Sequence, residues 1–353
     1  MSSINLKNLS MTIFGESHGT LIGGVVTGFP AGLKLDYEKI YKDVKRRMPG
    51  NDAFSTTRKE TDEFEIVSGV LDDITTGAPL CVLIKNSDSH STDYSYLKNT
   101  PRPSHSDYTA YLKYNGYNDI RGGGHFSGRL TAPIVVLGSI CKQFLEKENI
   151  KVISHIYKVK EFCDKSFINA TDEEIKNIIS GKRTILDIED KILDKIKKAK
   201  EDGDSLGGCI ECAVLNMKKG IGGPLFEGLE GKLSQLVYAI PAVKAVEFGA
   251  GANYLDDYGS SLNDSYEIKD GKVRTSSNNN GGILGGITNG ENIVLRATFK
   301  PTPSIFKEQK TVNLNSMSEE MLTIKGRHDP IVALRGIPAL EGIVAFGILD
   351  SIL

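Results

Sequence analysis

The chain of 353 residues has a formal charge of −2, 39% hydrophobic residues and 25% charged ones, so neither a disordered chain nor a nucleic-acid binder by bulk charge is expected. No apolar run reaches the roughly 18 residues of a membrane span, and the first ten residues lack a secretory signal's apolar core. The five scattered cysteines (Cys81, Cys141, Cys163, Cys209, Cys212) suit a reducing cytoplasm, and the 37 glycines, with no Gly-X-Y period, point to turns or to backbone lying close to a ligand.

In chain order, residues 11–28 read as strand, Gly-rich turn, strand. A helix is expected over 35–47, stopped by Met48-Pro49-Gly50, then strands over 63–70 and 80–84 and a long polar loop to about 102. Residues 104–114 read as a short helix, 121–124 as a glycine turn, and 130–147 as a helix with one strongly apolar face. A strand over 152–159 follows. Thr171 and Glu174 form a capping-box pattern at the head of a charged helical stretch, 173–201, broken near Gly181, whose charges suit a solvated face. Strands over 207–217 and 293–300, a helix over 229–239, a glycine turn at 281–286 and an apolar helix over 336–352 complete the reading. The spacing is irregular, with no βαβ period, repeat or clean linker. This favours one α+β or sandwich domain over residues 1–353 rather than two units.

Three segments place a histidine among small or basic residues: Gly15-Glu16-Ser17-His18-Gly19, Arg102-Pro103-Ser104-His105-Ser106-Asp107 and Gly326-Arg327-His328-Asp329-Pro330. Histidine can exchange a proton near neutral pH. The first segment lacks the symmetry of a serine-hydrolase elbow. Basic residues gather at Lys42, Lys45, Arg46 and Arg47 and again at Arg58 and Lys59; arginine suits planar contacts to phosphate or carboxylate. Arg121-Gly122-Gly123-Gly124-His125-Phe126-Ser127-Gly128-Arg129 exposes backbone N–H groups before a helix, a natural anion cradle, and 281–286 offers a second. Lys300-Pro301-Thr302-Pro303-Ser304 adds a cation and two hydroxyls. Neither a Walker loop nor a dinucleotide fingerprint is present. Cys209 and Cys212 sit three apart on a strand and so face opposite sides, which argues against zinc or redox pairing, and no other metal-ligand spacing occurs. The residues thus describe an enzyme using histidine acid–base chemistry with more than one anion cradle.

Taken in order, these motifs resemble the chorismate synthase family over the whole chain. The signatures are Gly15 to Gly19 continuing to Gly28-Phe29-Pro30, Gly124 to Thr131, and Arg327-His328-Asp329-Pro330 running to Glu341. Between them lie Arg46 to Gly50, Thr76-Gly77, Arg102 to His105, Gly203 to Gly208, 281–286 and 300–304. The resemblance implies a β-α-β sandwich and a homotetramer. It implies a phosphate lyase converting 5-enolpyruvylshikimate 3-phosphate into chorismate by trans-1,4-elimination with reduced FMN. It also implies the roles. His18 is the acid near the flavin, His105 protonates the departing phosphate, and Asp329 assists proton transfer. Arg46, Arg47, Arg129 and Arg335 hold substrate, and Ser127, Ala242, Gly285, Lys300, Thr302, Ser304 and Arg327 hold FMN. NADP comes only as a family association; because no dinucleotide fingerprint is present, an external flavin reductant is expected. His125-Phe126, Ala53, Pro241, Pro303 and Ile331 depart from common family residues. A flavin oxidoreductase acting on another substrate and a silent anion-binding protein are the competing readings.

Overall fold

The computed structural model describes residues 2–48, 62–86, 97–324 and 328–353. Ala53, Arg58, Lys59, Arg327, the Pro49-Gly50 stop and most of the expected polar loop before residue 102 lie outside the described residues.

The first hairpin forms as expected, Ser10–Gly15 against Leu21–Thr27. Short strand Ser3–Asn5 extends it on one side, and Leu80–Lys85 then Phe64–Ser68 on the other, making a five-stranded antiparallel sheet. A second antiparallel sheet runs Val243–Phe248, Ile293–Phe299, Gly208–Leu215, Lys151–Val159, Phe162–Cys163. Strand alternation decides the inner faces: Ile22, Val26, Val82 and Ile84 point inward from the first sheet, and Ile156, Ile210, Cys212 and Leu295 from the second.

Helices fill the space between. Tyr37–Arg47 is capped by Asp36, whose carboxylate accepts from the Lys39 N–H. Beside it lie Thr131–Lys147, Leu229–Tyr238 and the C-terminal Ala333–Ile352. One apolar cluster joins both sheets through this layer. The expectation of a single apolar face on the 131–147 helix is corrected here. Residues 131–141 are all buried, because a helix between two sheets has no solvent side. Residues 336–350 of the C-terminal helix are buried likewise. The two helices cross backbone to backbone at Gly138 and Gly342, where a methyl group on Gly138 would overlap the Gly342 Cα.

The middle layer also holds charge. Glu341 takes both Arg46 nitrogens (2.7 and 2.8 Å) and Lys142 (2.8 Å), while Asp43 takes Arg46 (3.1 Å) and Lys142 (2.9 Å). On the other face of the second sheet, His155, Glu211 and Arg296 stand opposite one another on neighbouring strands. The His155 ring lies between Asp164 and Glu211, 3.2 Å from each, and Arg296 donates to Glu211 at 2.9 Å. Burial alone would lower the His155 pKa, but the two carboxylates outweigh it and raise it.

The charged stretch is two helices, Asp172–Ser180 with the expected Thr171–Glu174 capping box and Glu189–Glu201 after a left-handed Gly181. The 281–286 turn contains a small hairpin, Ile283–Leu284 with Ile287–Thr288, turning at Gly285-Gly286. Strand Val243–Phe248 and hairpins Tyr266–Lys269 with Lys272–Thr275 and Gln309–Asn313 with Ser318–Leu322 were not anticipated.

Candidate active site

The loop between the first two hairpin strands carries His18 and is pinned from two sides. The Ser17 N–H donates to the Gly124 carbonyl (3.1 Å), and the Asn86 amide donates to the carbonyls of Glu16 (3.0 Å) and Gly19 (2.9 Å). His18 is 5% exposed. Its ring lies against Gly122, where a Cβ would sit 2.6 Å from Nε2. Gly122, Gly123 and Gly124 all have positive φ (60°, 92° and 53°), a backbone path that other residues follow only with strain. A Cβ on Gly123 would stand 3.3 Å from Nε2 of His105. One turn without side chains therefore has a different histidine against each of two consecutive residues.

His105 belongs to a clamp. Its Nδ1 lies 2.6 Å from Asp107 Oδ1. Arg102 grips the same carboxylate with Nε (2.7 Å) and Nη2 (2.8 Å) and reaches Ser304 Oγ with Nη1 (3.3 Å). Burial, then the Arg102 and Lys300 charges, lower the His105 pKa, while Asp107 opposes them. Although burial works against it, Arg102 and His105 hold the Asp107 carboxyl well below the usual carboxylate range. The Lys300 ammonium donates to the Ser104 carbonyl, and the Lys300 N–H donates to the Ala242 carbonyl at 2.9 Å. The Ser205 hydroxyl holds the Thr302 carbonyl at 2.7 Å. Residues 300–304 are thereby drawn onto the Arg102–Asp107 turn.

A third group is cationic. Arg47 and Arg129 both pair with the fully buried carboxylate of Asp62. Arg47 Nε also donates to Thr131 Oγ1 (3.1 Å), and Arg129 Nε to Asn86 Oδ1 (3.1 Å). Arg335 donates through Nε to the Arg47 carbonyl (2.9 Å) and through Nη1 to Asp329 (2.6 Å). Arg46 is not brought to this group, because Glu341 and Asp43 hold its guanidinium in the helix layer. Beside Asp329, His328 packs on Phe306 (ring centroids 5.2 Å apart). Burial and the Arg102 charge push its pKa down to about 4.

The remaining expected residues divide. Ser127 accepts from the Arg129 N–H (3.2 Å) and lies beside Gly123. Ala242 has φ +74°, a costly conformation for a non-glycine residue. Gly285 stands at its hairpin turn with open space where a side chain would begin. His125, at a departure from the common family pattern, places Nδ1 2.7 Å from the Gly15 carbonyl and so ties the glycine turn to the first strand. Cys209 and Cys212 are buried strand residues whose thiols burial pushes up to about 11 and about 12, poor values for a metal ligand or nucleophile. Among the described residues no cluster of three metal-ligating side chains occurs, and no helix is long and apolar enough to cross a membrane.

Two polar atoms point to a bound group. Thr302 Oγ1 and His328 Nε2 are buried with no hydrogen-bond partner among the described residues. Such atoms are costly unless something meets them. A hydroxyl, a lysine, serines and a bare glycine backbone are the donor set that a phosphorylated, hydrogen-bonding cofactor requires, and the residues fit such a group.

Asp62, Asn86, Arg102 and Asp107 have no assigned role in the sequence reading. Asp107 and Arg102 stand within the quoted His105 motif, so the signal was at hand. Asp62 acts through Arg47 and Arg129, 15 and 67 residues away, and Asn86 through Arg129, 43 residues away, pairings about which local sequence is silent.

A family model described as chorismate synthase matches residues 9–353. A chorismate synthase of Pyrococcus abyssi is 44% identical over 98% of this chain and 96% of its own length. One of Methanocaldococcus jannaschii is 44% identical over 96% and 93%, and one of Dehalococcoides mccartyi 40% identical over 99% and 96%. Among solved structures, a chorismate synthase crystal structure superposes with a TM-score of 0.76 at 27% identity, covering 99% of this chain and 93% of that one.

Proposed function

This chain belongs to the chorismate synthase family, lyases of the shikimate pathway, and from that membership we propose which residues perform the elimination. The reaction removes phosphate from 5-enolpyruvylshikimate 3-phosphate. A C–O bond breaks at one end of an allylic system and a C–H bond at the other. The leaving group is a dianion, so positive charge and a proton both favour its departure.

His105 delivers that proton from Nε2. Arg47 and Arg129 hold the phosphorylated substrate, and Arg335 contributes to its carboxylates while orienting Asp329, which moves a proton. His18 holds a proton at the other side of the glycine turn. Ser127, Ala242, Gly285, Lys300, Thr302 and Ser304, with Arg327, would hold FMN in its reduced form, a role supported by the Thr302 hydroxyl, which is buried with no partner among the described residues. Reduced FMN supplies electron density for C–O cleavage and a basic nitrogen suited to the proton of an unactivated C–H bond.

The observation that carries this reading is the glycine turn, with His18 against Gly122 and His105 against Gly123. The test is anaerobic: substrate and chemically reduced FMN with purified protein should release phosphate and chorismate. No phosphate release, or oxidation of a different substrate instead, overturns the reading. His105→Ala should lower kcat by about 100-fold or more, the usual worth of a general acid, with FMN affinity little changed.

We extend the reading to a cytoplasmic homotetramer built from a single domain, with flavin reduced by an external donor. Five free cysteines support the compartment. Leu225 and Phe226, 88% and 104% exposed, support assembly, since large apolar groups are seldom left wholly in water together. Sedimentation velocity should find a species of four chains.

A further inference from the structure

We propose that Asp107 is a positioning residue for the elimination: it fixes the ring proton of His105 on Nδ1 and leaves Nε2 to carry the transferable proton. The inference rests on the reading of His105 as the acid.

Two contacts compete at Nδ1, and the shorter, to a carboxylate that Arg102 Nη2 already donates to at 2.8 Å, decides the arrangement. Asp107 Oδ1 is 2.6 Å from His105 Nδ1, and Arg102 Nη2 is 3.1 Å from the same nitrogen. A guanidinium only donates and a carboxylate only accepts. Without its hydrogen, Nδ1 would face carboxylate lone pairs at 2.6 Å, so the hydrogen sits on Nδ1 and points at Asp107. Arg102 donates to both oxygens of that carboxylate through its side chain, and its backbone N–H donates to Oδ2 at 3.0 Å as well, which stops the carboxylate from rotating. The opposite ring edge then faces Gly123. Because Arg102 also reaches Ser304, the clamp is continuous with the 300–304 segment.

Among the described residues, the charged groups facing the ring are Asp107, Arg102 and Lys300. The two cations lower its pKa along with burial, and Asp107 is the group opposing them. Removing the Asp107 charge therefore makes the imidazolium harder to form. Activity that needs the protonated acid is then lost at lower pH than in the unchanged enzyme.

The experiment compares Asp107→Asn, His105→Ala and the double variant in the anaerobic phosphate-release assay. Asp107→Asn should lower kcat near pH 7 by about ten- to a hundredfold, the range for losing the hydrogen-bond partner that orients a metal-bound histidine. KM should change little, and the alkaline limb of the kcat profile should move to lower pH. In the His105→Ala background the same substitution should cost nothing further. Histidine 15N spectra of the unsubstituted protein should show His105 protonated on Nδ1 when neutral, a readout that does not depend on any variant folding. The inference is overturned alone by a crippled His105→Ala beside an Asp107→Asn enzyme with unchanged kcat and pH profile, by additive losses, or by an Nε2-protonated neutral ring. A His105→Ala enzyme with full kcat overturns the acid role itself, and the inference with it.

Discussion

Arg47 and Arg129 share one buried carboxylate, Asp62, so neither is a bare cation waiting for an anion. Unpaired, two guanidinium groups at this depth would repel one another and lack hydration. Asp62 keeps them together and oriented. Replacing it by alanine should weaken substrate binding and lower stability by about 3–5 kcal/mol, the range for breaking a buried pair, read as KM and a denaturant midpoint. The glycine turn makes the same point about backbone. Gly122→Ala meets both a positive φ of 60° and His18 at 2.6 Å. The conformational part alone should cost about 1–2 kcal/mol, and displacement of His18 should lower kcat well beyond that stability loss. At this scale the histidines, Asp329 and the glycine turn were legible, because each lies in a short run of unusual residues. Asp62 and Asn86 were not, since an isolated acid or amide carries meaning only once folding supplies its partner.

Elements were legible where burial is one-sided or capping is explicit. The Asp172–Ser180 helix begins at Thr171 and stops before Gly181, as its capping box and glycine imply. Strand Val243–Phe248 is hidden in the sequence because it starts just after Pro241 and the left-handed Ala242 and carries Lys244 and Glu247. The hairpin at 309–322 is hidden because its strands are mostly polar. The helix over 131–147 was seen, but its second buried side was not. Periodicity reports an apolar stripe, whereas the covering sheet on the far side is a tertiary fact. The crossing of this helix with the C-terminal one depends on Gly138 and Gly342. Gly138→Ala should force the helices apart and destabilise by about 1–3 kcal/mol, measured as a fall in the melting temperature.

For the whole molecule, buried ionic clusters set the pH range of stability. Despite burial, which raises them, Glu341 and Asp43 are held below their ordinary values of 4.5 and 3.8 by Arg46 and Lys142. Groups with depressed folded pKa values stabilise fully above the ordinary value and lose that effect as pH falls through the folded one. His155 runs the other way. Its raised pKa gives stability present below its ordinary 6.5 and lost as pH climbs through the folded value. Urea midpoints should therefore fall in acid below about 4.5 and decline again on the alkaline side, and His155→Gln should remove the alkaline decline. The sandwich has a further consequence for motion. Its helices, not its strands, are the innermost layer: residues 131–141 have a sheet on either side, and residues 336–350 are enclosed by the second sheet and the neighbouring helices. Their amide protons can reach solvent only when the sheets part, so hydrogen exchange should be slowest along these two helices, at the rate of global unfolding, and faster at the sheet edges.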